Sequence, residues 1–181
     1  MPLSLKLKEK QVQNIIFHSY LTNHIISVPN TMSVCGWESD ILSVNYTRYL
    51  NEYEIKVNYN DFKNDALKYK HIYYKDEGRY TPKDYMMMPN RFWYVIHSFS
   101  VEIAEIPPYA GLIYVYDEFN SEIIKKAPLL HKTKVTADFI EKMTRSQNKK
   151  FWKQRDNKNM YVRRHGAKSI LKEYNFEQIR N

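Results

Sequence analysis

Tyr49-Leu-Asn-Glu-Tyr-Glu-Ile-Lys-Val57 runs directly into Asn58-Tyr-Asn-Asp-Phe-Lys-Asn-Asp65, and the junction of these two segments decides the fold. In the first, tyrosine, isoleucine and valine alternate with polar residues, the pattern of a strand with two unlike faces. In the second, Asn60 and Asp61 supply an N-cap and an acidic first turn. The helix they open is expected to reach about Tyr74, with Phe62, Ala66, Tyr69 and Tyr73 as its inward stripe. A strand feeding an amphipathic helix is half of an α/β unit.

Upstream, Ile25 to Met32 and Ile41 to Val44 are short β-rich runs, so three strands are expected in succession. Before them, helical periodicity extends from about Leu5 to Tyr20, with Val12, Ile16 and Tyr20 on one stripe. Glu9 falls on that stripe, and its carboxylate is expected to face the core. Downstream, a polar loop through Met88-Pro89-Asn90 precedes Phe92-Trp-Tyr-Val-Ile96, and Ile106-Pro-Pro108 precedes Gly111-Leu-Ile-Tyr-Val-Tyr116. Both runs are apolar throughout, as strands buried on two faces require. The order α-β-β-β-α-β-β predicts an α/β domain with a central mixed sheet flanked by helices. Past Pro128 the texture changes: Thr136 can cap a helix from Ala137 to about Arg155, and the rest is basic without a clear strand. The organisation read from this is a core over residues 1–128 and a basic, mainly helical extension over 129–181.

The 181 residues, 43% of them hydrophobic and 15% aromatic, suit one folded domain. No apolar run approaches the roughly 18 residues that would span a bilayer, and Met1-Pro-Leu-Ser-Leu-Lys-Leu-Lys8 lacks the continuous apolar stretch of a signal peptide. A soluble, cytoplasmic protein with no membrane partner is expected. The single Cys35 allows no intramolecular disulfide and no thiolate zinc site, and reads as a small buried residue. The histidines form no close pair, which argues against a histidine metal site, and the four glycines, isolated from one another, form no phosphate-binding loop. The net charge of +8 is unevenly placed: residues 125–181 hold 16 Lys and Arg against 5 Asp and Glu, whereas residues 1–124 hold 12 against 15. The basic end therefore points to an anionic partner.

Strand residues two apart share a face, so Glu38 and Asp40 point one way, and Glu54, Lys56 and Asn58 do likewise. A hairpin between the two strands would set Asp40 beside Glu54. Converging carboxylates next to a lysine suit magnesium, which takes one or two carboxylates, several waters and a phosphate oxygen. An acidic residue two before a lysine also occurs at Asp61-Phe-Lys63 and Asp156-Asn-Lys158. Only Glu54-Ile-Lys56 lies on a β-patterned strand that follows a second acidic strand and precedes a helix. The competing reading is an exposed strand edge with an ordinary Glu–Lys pair.

Asp40, a hairpin to Glu54-Ile-Lys56, a following helix and Glu9 on a preceding one together resemble the PD-(D/E)XK nuclease superfamily, the restriction-endonuclease-like fold. Through Glu54-Ile-Lys-Val-Asn-Tyr-Asn-Asp-Phe-Lys-Asn-Asp65 and Pro108-Tyr-Ala-Gly-Leu-Ile113, the chain is more particularly similar to MmcB-like putative DNA-repair nucleases and their phage-encoded relatives. The resemblance covers roughly residues 5–120. It implies an αβββαβ core, catalytic roles for Asp40, Glu54 and Lys56, and Mg2+ or Mn2+ held by Asp40 and Glu54 with Glu9 as a further ligand. Glu38 departs from the family pattern; sharing the Asp40 face, it is either an additional ligand or a strand residue facing solvent. Ser39 stands where the family has its motif proline. The implied activity is phosphodiester hydrolysis of DNA in repair, recombination or phage DNA metabolism, inside a bacterial or phage-infected host cell. The alternative is a DNA-binding or repair-adaptor protein that keeps the fold without cutting.

Asn148-Lys-Lys-Phe-Trp-Lys-Gln-Arg155 and Tyr161-Val-Arg-Arg-His165 interleave cations with aromatics. Lys149, Lys150, Lys153, Arg155, Arg163 and Arg164 are the expected phosphate contacts, and Trp152 or Tyr161 could stack on unpaired bases. Phe151 is expected to pack in the core, with the lysines outside. A homodimer is compatible with this reading, although no residue pattern marks a dimer face.

Overall fold

The computed structural model describes residues 6–31, 35–75 and 88–173, with side chains described as far as Arg155. Contacts group the chain into two compact units, Met1–Met143 and Thr144–Asn181. The first opens with α1 (Glu9–Ile16), whose last turn widens into a π-helical stretch at Phe17–Leu21. It continues through β1 (Ile26–Thr31), β2 (Ser39–Val44) and β3 (Leu50–Lys56), then the short helices α2 (Tyr59–Asp65) and α3 (Lys70–Lys75). After β4 (Arg91–Ile96) come a 3-10 turn at Ile103–Glu105, β5 (Ala110–Val115) and β6 (Ser121–Lys125). Helix α4 (Ala137–Glu173) follows.

The six strands form one sheet in sequence order. β1, β2 and β3 make an antiparallel meander, β3, β4 and β5 are parallel, and β6 returns antiparallel. The sheet is therefore mixed and flanked by helices, as the order of elements predicts. β6 was not foreseen; Ser121-Glu-Ile-Ile-Lys125 is too short and too polar to stand out, and it lies at the sheet edge.

Side-chain alternation sorts the sheet into two faces. Ile41, Tyr53, Ile55, Val95, Ile113 and Val115 pack against Val12, Ile16 and Leu21 of the N-terminal helix. Burying each such side chain contributes roughly 1.5–3 kcal/mol. On the other face, Phe92, Tyr94, Ile96 and Leu112 meet Phe62 of α2 and Tyr74 of α3. Val28, Leu42, Val44 and Leu50 meet Val135 and Met143. The first unit thus reaches Met143, because the first turns of α4 cover the meander. Thr136 caps that helix as expected, its Oγ1 accepting from the Phe139 N–H at 3.2 Å.

Several sequence expectations are corrected. The helix expected from Asn60 to Tyr74 breaks at Ala66–Tyr69, and Ala66 and Tyr69 lie exposed. Its N-cap is Asn58, whose side chain accepts from the Asn60 and Asp61 N–H groups at 2.8 and 3.4 Å. Phe151 is 53% exposed instead of buried. Cys35 is buried, as expected.

Candidate active site

The site begins where two strands part. The β2–β3 ladder runs from Val44↔Leu50 to Ile41↔Tyr53, and there it stops. Ser39 pairs instead with Thr31 of β1, whereas β3 continues to Lys56 against β4. The Ile55 N–H, left without a β2 backbone partner, is accepted by Asp40 Oδ2 at 2.6 Å. The side chain of Asp40 thus fills the fork between the strands and lies beside Glu54.

β3 presents Leu50, Glu52, Glu54 and Lys56 on one face at period two. Glu52, Glu54 and Lys56 are 0%, 2% and 2% exposed, so this is no exposed strand edge. Charges held this deep require partners. Glu54 Oε1 binds the ammonium groups of Lys56 at 2.8 Å and Lys68 at 2.7 Å, and Oε2 binds Lys70 at 2.5 Å. Glu52 receives Lys70 at 3.0 Å, the Tyr74 hydroxyl at 2.6 Å and the Trp37 indole N–H at 3.1 Å. Lys56 also meets Asp65 at 2.8 Å and Asp61 at 3.3 Å.

The broken helix supplies these counter-ions. α2 turns Phe62 and Asp65 inward, and the bend at Ala66–Tyr69 lets α3 re-enter with Lys70, His71 and Tyr74 facing the sheet. A continuous helix would have continued the Phe62 stripe to Tyr69, leaving Glu52 without its cation and Glu54 with Lys56 alone. Asp65 binds Lys56, Lys68 at 2.7 Å, His71 Nε2 at 2.7 Å and the Tyr94 hydroxyl at 2.9 Å. Burial opposes its ionisation, but His71 and the Lys56 ammonium outweigh burial and hold its pKa below the usual carboxylate range. Burial likewise opposes the charge on Lys56, and Glu54 and Asp65 overcome it, raising its pKa above the ordinary lysine value. Lys56 is therefore a permanent cation at neutral pH.

Asp40 differs from its neighbours. It is partly buried and, among the described residues, has no ion pair, and only its Oδ2 is hydrogen-bonded. Burial, then the nearby charge of Glu54 and that of Glu9, push its pKa up to about 7 against the lowering effect of the Ile55 N–H. Glu9 is exposed at the start of α1, contrary to its expected core orientation, because the buried stripe of that helix begins at Val12. It joins the site through Gln13, whose Nε2 reaches Glu9 Oε1 at 3.3 Å, Asn30 Oδ1 at 2.6 Å and the Asp40 carbonyl at 3.2 Å. Glu38 is exposed just before β2 and makes no hydrogen bond or ion pair among the described residues.

Sequence reasoning located Asp40, Glu54 and Lys56 together and missed Glu52, Asp65, Lys68, Lys70 and His71. Glu52 was legible, since it lies two residues before Glu54 on an alternating strand. Asp65 was legible too, lying on α2 three residues after Phe62 and so on its inward face. Lys68, Lys70 and His71 depend on the bend between α2 and α3, for which the sequence carries no glycine or proline signal.

A small divalent cation at Asp40 and Glu54 would have to displace a lysine, because both oxygens of Glu54 are held by ammonium groups. Asp40 retains an unengaged oxygen in a locally negative setting, and half-exposed Lys68 is the ammonium that could leave Glu54 most readily. Among the described residues, no three His, Cys, Asp or Glu side chains converge as ready metal ligands. Of the expected phosphate contacts on α4, Lys149, Lys153 and Arg155 are exposed and Lys150 is partly buried. The Arg163 and Arg164 side chains lie outside the described residues. No helix among the described residues is long and apolar enough to cross a membrane.

No protein-family model matches the chain, and no curated protein matches it. Among solved structures, it is similar to a protein of unknown function from Silicibacter pomeroyi, with a TM-score of 0.50 and 18% sequence identity over 88% of this chain and 94% of that one. At that identity the likeness concerns the fold.

Proposed function

We propose that this chain is a divalent-metal-dependent deoxyribonuclease with a restriction-endonuclease-like core, acting in DNA repair, recombination or phage DNA metabolism. One observation carries the reading: Asp40, a carboxylate with no ion pair among the described residues, fills the fork between β2 and β3 beside Glu54, which the buried Lys56 binds at 2.8 Å. Such a carboxylate is costly unless a cation joins it.

Asp40 and Glu54 would hold Mg2+ or Mn2+, with Glu9 and Glu38 as candidate outer ligands. The bound cation would neutralise phosphate charge and acidify a coordinated water. Asp65 and Glu54 hold the Lys56 ammonium in place and charged, so it can stabilise negative charge developing on a phosphate oxygen without changing protonation state. Lys70, neutralising Glu52 and one oxygen of Glu54, keeps the β3 carboxylates from repelling one another.

The test is cleavage of linear, nicked, branched and single-stranded DNA with and without magnesium. Wild-type protein is expected to cut only with metal, and Asp40→Ala or Lys56→Ala to abolish cutting while a thermal unfolding transition remains. Equal cleavage by both variants would overturn the assignment.

A second reading, a non-cutting DNA-binding or repair-adaptor protein, is favoured by the capture of both Glu54 oxygens by lysines. Calorimetric titration separates the two. The nuclease binds magnesium with a heat that Asp40→Ala removes; the adaptor shows no such heat yet binds DNA with a steep salt dependence.

A further inference from the structure

The second compact unit, Thr144–Asn181, carries 11 Lys and Arg against 3 Asp and Glu, and near its start two large aromatics face solvent. Phe151 is 53% and Trp152 52% exposed, set edge to face with ring centroids 5.5 Å apart. The Arg155 guanidinium lies over the Trp152 ring at 5.5 Å. Exposed Lys149 and Lys153 flank the pair in sequence.

Helical spacing narrows what could cover this pair. Phe151 and Trp152 are consecutive, so they project about 100° apart around the helix. A seam for another helix, or a face for a bilayer, needs further apolar residues three and four positions away. Those positions around Trp152 are Asn148, Lys149, Arg155 and Asp156, and around Phe151 they are Gln147, Asn148, Gln154 and Arg155. No apolar stripe exists for a protein or lipid partner to bury. A polynucleotide matches instead: its phosphates complement the cations, and its bases offer flat faces to a half-exposed indole.

Stacking discriminates between forms of nucleic acid. In a duplex the base faces are already covered by their neighbours, whereas an unpaired strand leaves them available. We infer that Trp152, flanked by Lys149, Lys153 and Arg155, is a stacking platform for unpaired polynucleotide, so that the chain prefers DNA with single-stranded or frayed segments. This deepens the nuclease reading by naming the form of its substrate, but the binding itself needs neither metal nor cleavage.

The experiment measures fluorescence anisotropy of a labelled oligothymidylate and of a blunt duplex, with full-length protein, a chelator present and a series of salt concentrations. Tighter binding of the oligothymidylate than of the duplex is expected. Trp152→Ala should weaken the single strand about tenfold, within the range of one stacked base, with little change on the duplex or in the salt slope. Trp152→Phe should restore most of the loss. Lys149→Gln with Lys153→Gln should flatten the single-strand salt slope by about 1.4, or about 0.7 for each phosphate contact removed.

Trp152→Ala binding the oligothymidylate as wild type does, or losing equally on the duplex, overturns the inference. So does a Trp152-dependent affinity for phosphatidylserine vesicles that exceeds the oligothymidylate affinity, or a dimer in sedimentation that Trp152→Ala dissociates. A Trp152→Ala protein that still cuts duplex with wild-type binding of single strands would sink the platform while leaving the nuclease reading intact.

Discussion

Asp40 is the residue on which the proposed chemistry turns. A carboxyl pKa raised from 3.8 to about 7 means that the folded state holds the proton more tightly than the unfolded chain does. Its contribution therefore favours folding at low pH and is lost as pH rises from 3.8 through about 7. Asp40→Asn should accordingly raise the melting temperature of the metal-free protein above neutral pH, with the gain shrinking towards acid. Magnesium should raise the wild-type melting temperature above neutral pH and leave that of Asp40→Asn unmoved; thermal scans across pH with and without the metal check both. Lys70 makes the opposite case. Lys70→Met would leave Glu52 buried with only neutral partners and cost about 3–5 kcal/mol, measurable by urea unfolding. Glu54 and Lys56 were legible because their spacing places them on one face of a strand. Lys68 and Lys70 were not, because they reach the carboxylates only through the bend that follows α2.

The elements show how local pattern and tertiary demand compete. β3, β4 and β5 follow their apolar patterns closely, since a strand buried in a parallel sheet must be apolar on nearly every side that lacks a specific partner. α2 and α3 depart from pattern because the β3 carboxylates attract counter-ions that a single regular helix could not deliver. In β5, Gly111 lies so close to its surroundings that an added Cβ would meet Trp93 Cε3 at 2.5 Å and the Ala127 backbone nitrogen at 2.6 Å. Gly111→Ala should therefore cost at least about 1–3 kcal/mol, because a backbone atom cannot step aside as a side chain can. The cap of α4 is a milder case: Thr136→Ala removes the bond to the Phe139 N–H and should cost about 1 kcal/mol. Both costs can be read from denaturant unfolding midpoints at unchanged slope.

Across the whole molecule, the division of charge follows the division into units. Residues 144–181 hold most of the excess positive charge, and Met1–Met143 holds every residue of the candidate site. A chain ended after Met143 should unfold cooperatively, because Val135 and Met143 complete its last apolar cluster. On the proposed reading, that chain should also lose most affinity for DNA and show a flatter salt dependence in binding assays, whereas a chain ended at Pro128 should unfold more readily for want of that cover.

The sequence by itself determined the α/β class, the succession of three strands, the two buried parallel strands, the capped C-terminal helix and the shared face of Glu54 and Lys56. Each depends on periodicity or capping, which act over a few residues and are written in the chain directly. Tertiary structure alone decided the fork that places Asp40 against Ile55, the bend that brings Lys70 and His71 to the carboxylates, and the exposure of Glu9 and Phe151. Those outcomes are set by which charges must be neutralised and which surfaces are already covered, and both depend on neighbours far away in sequence.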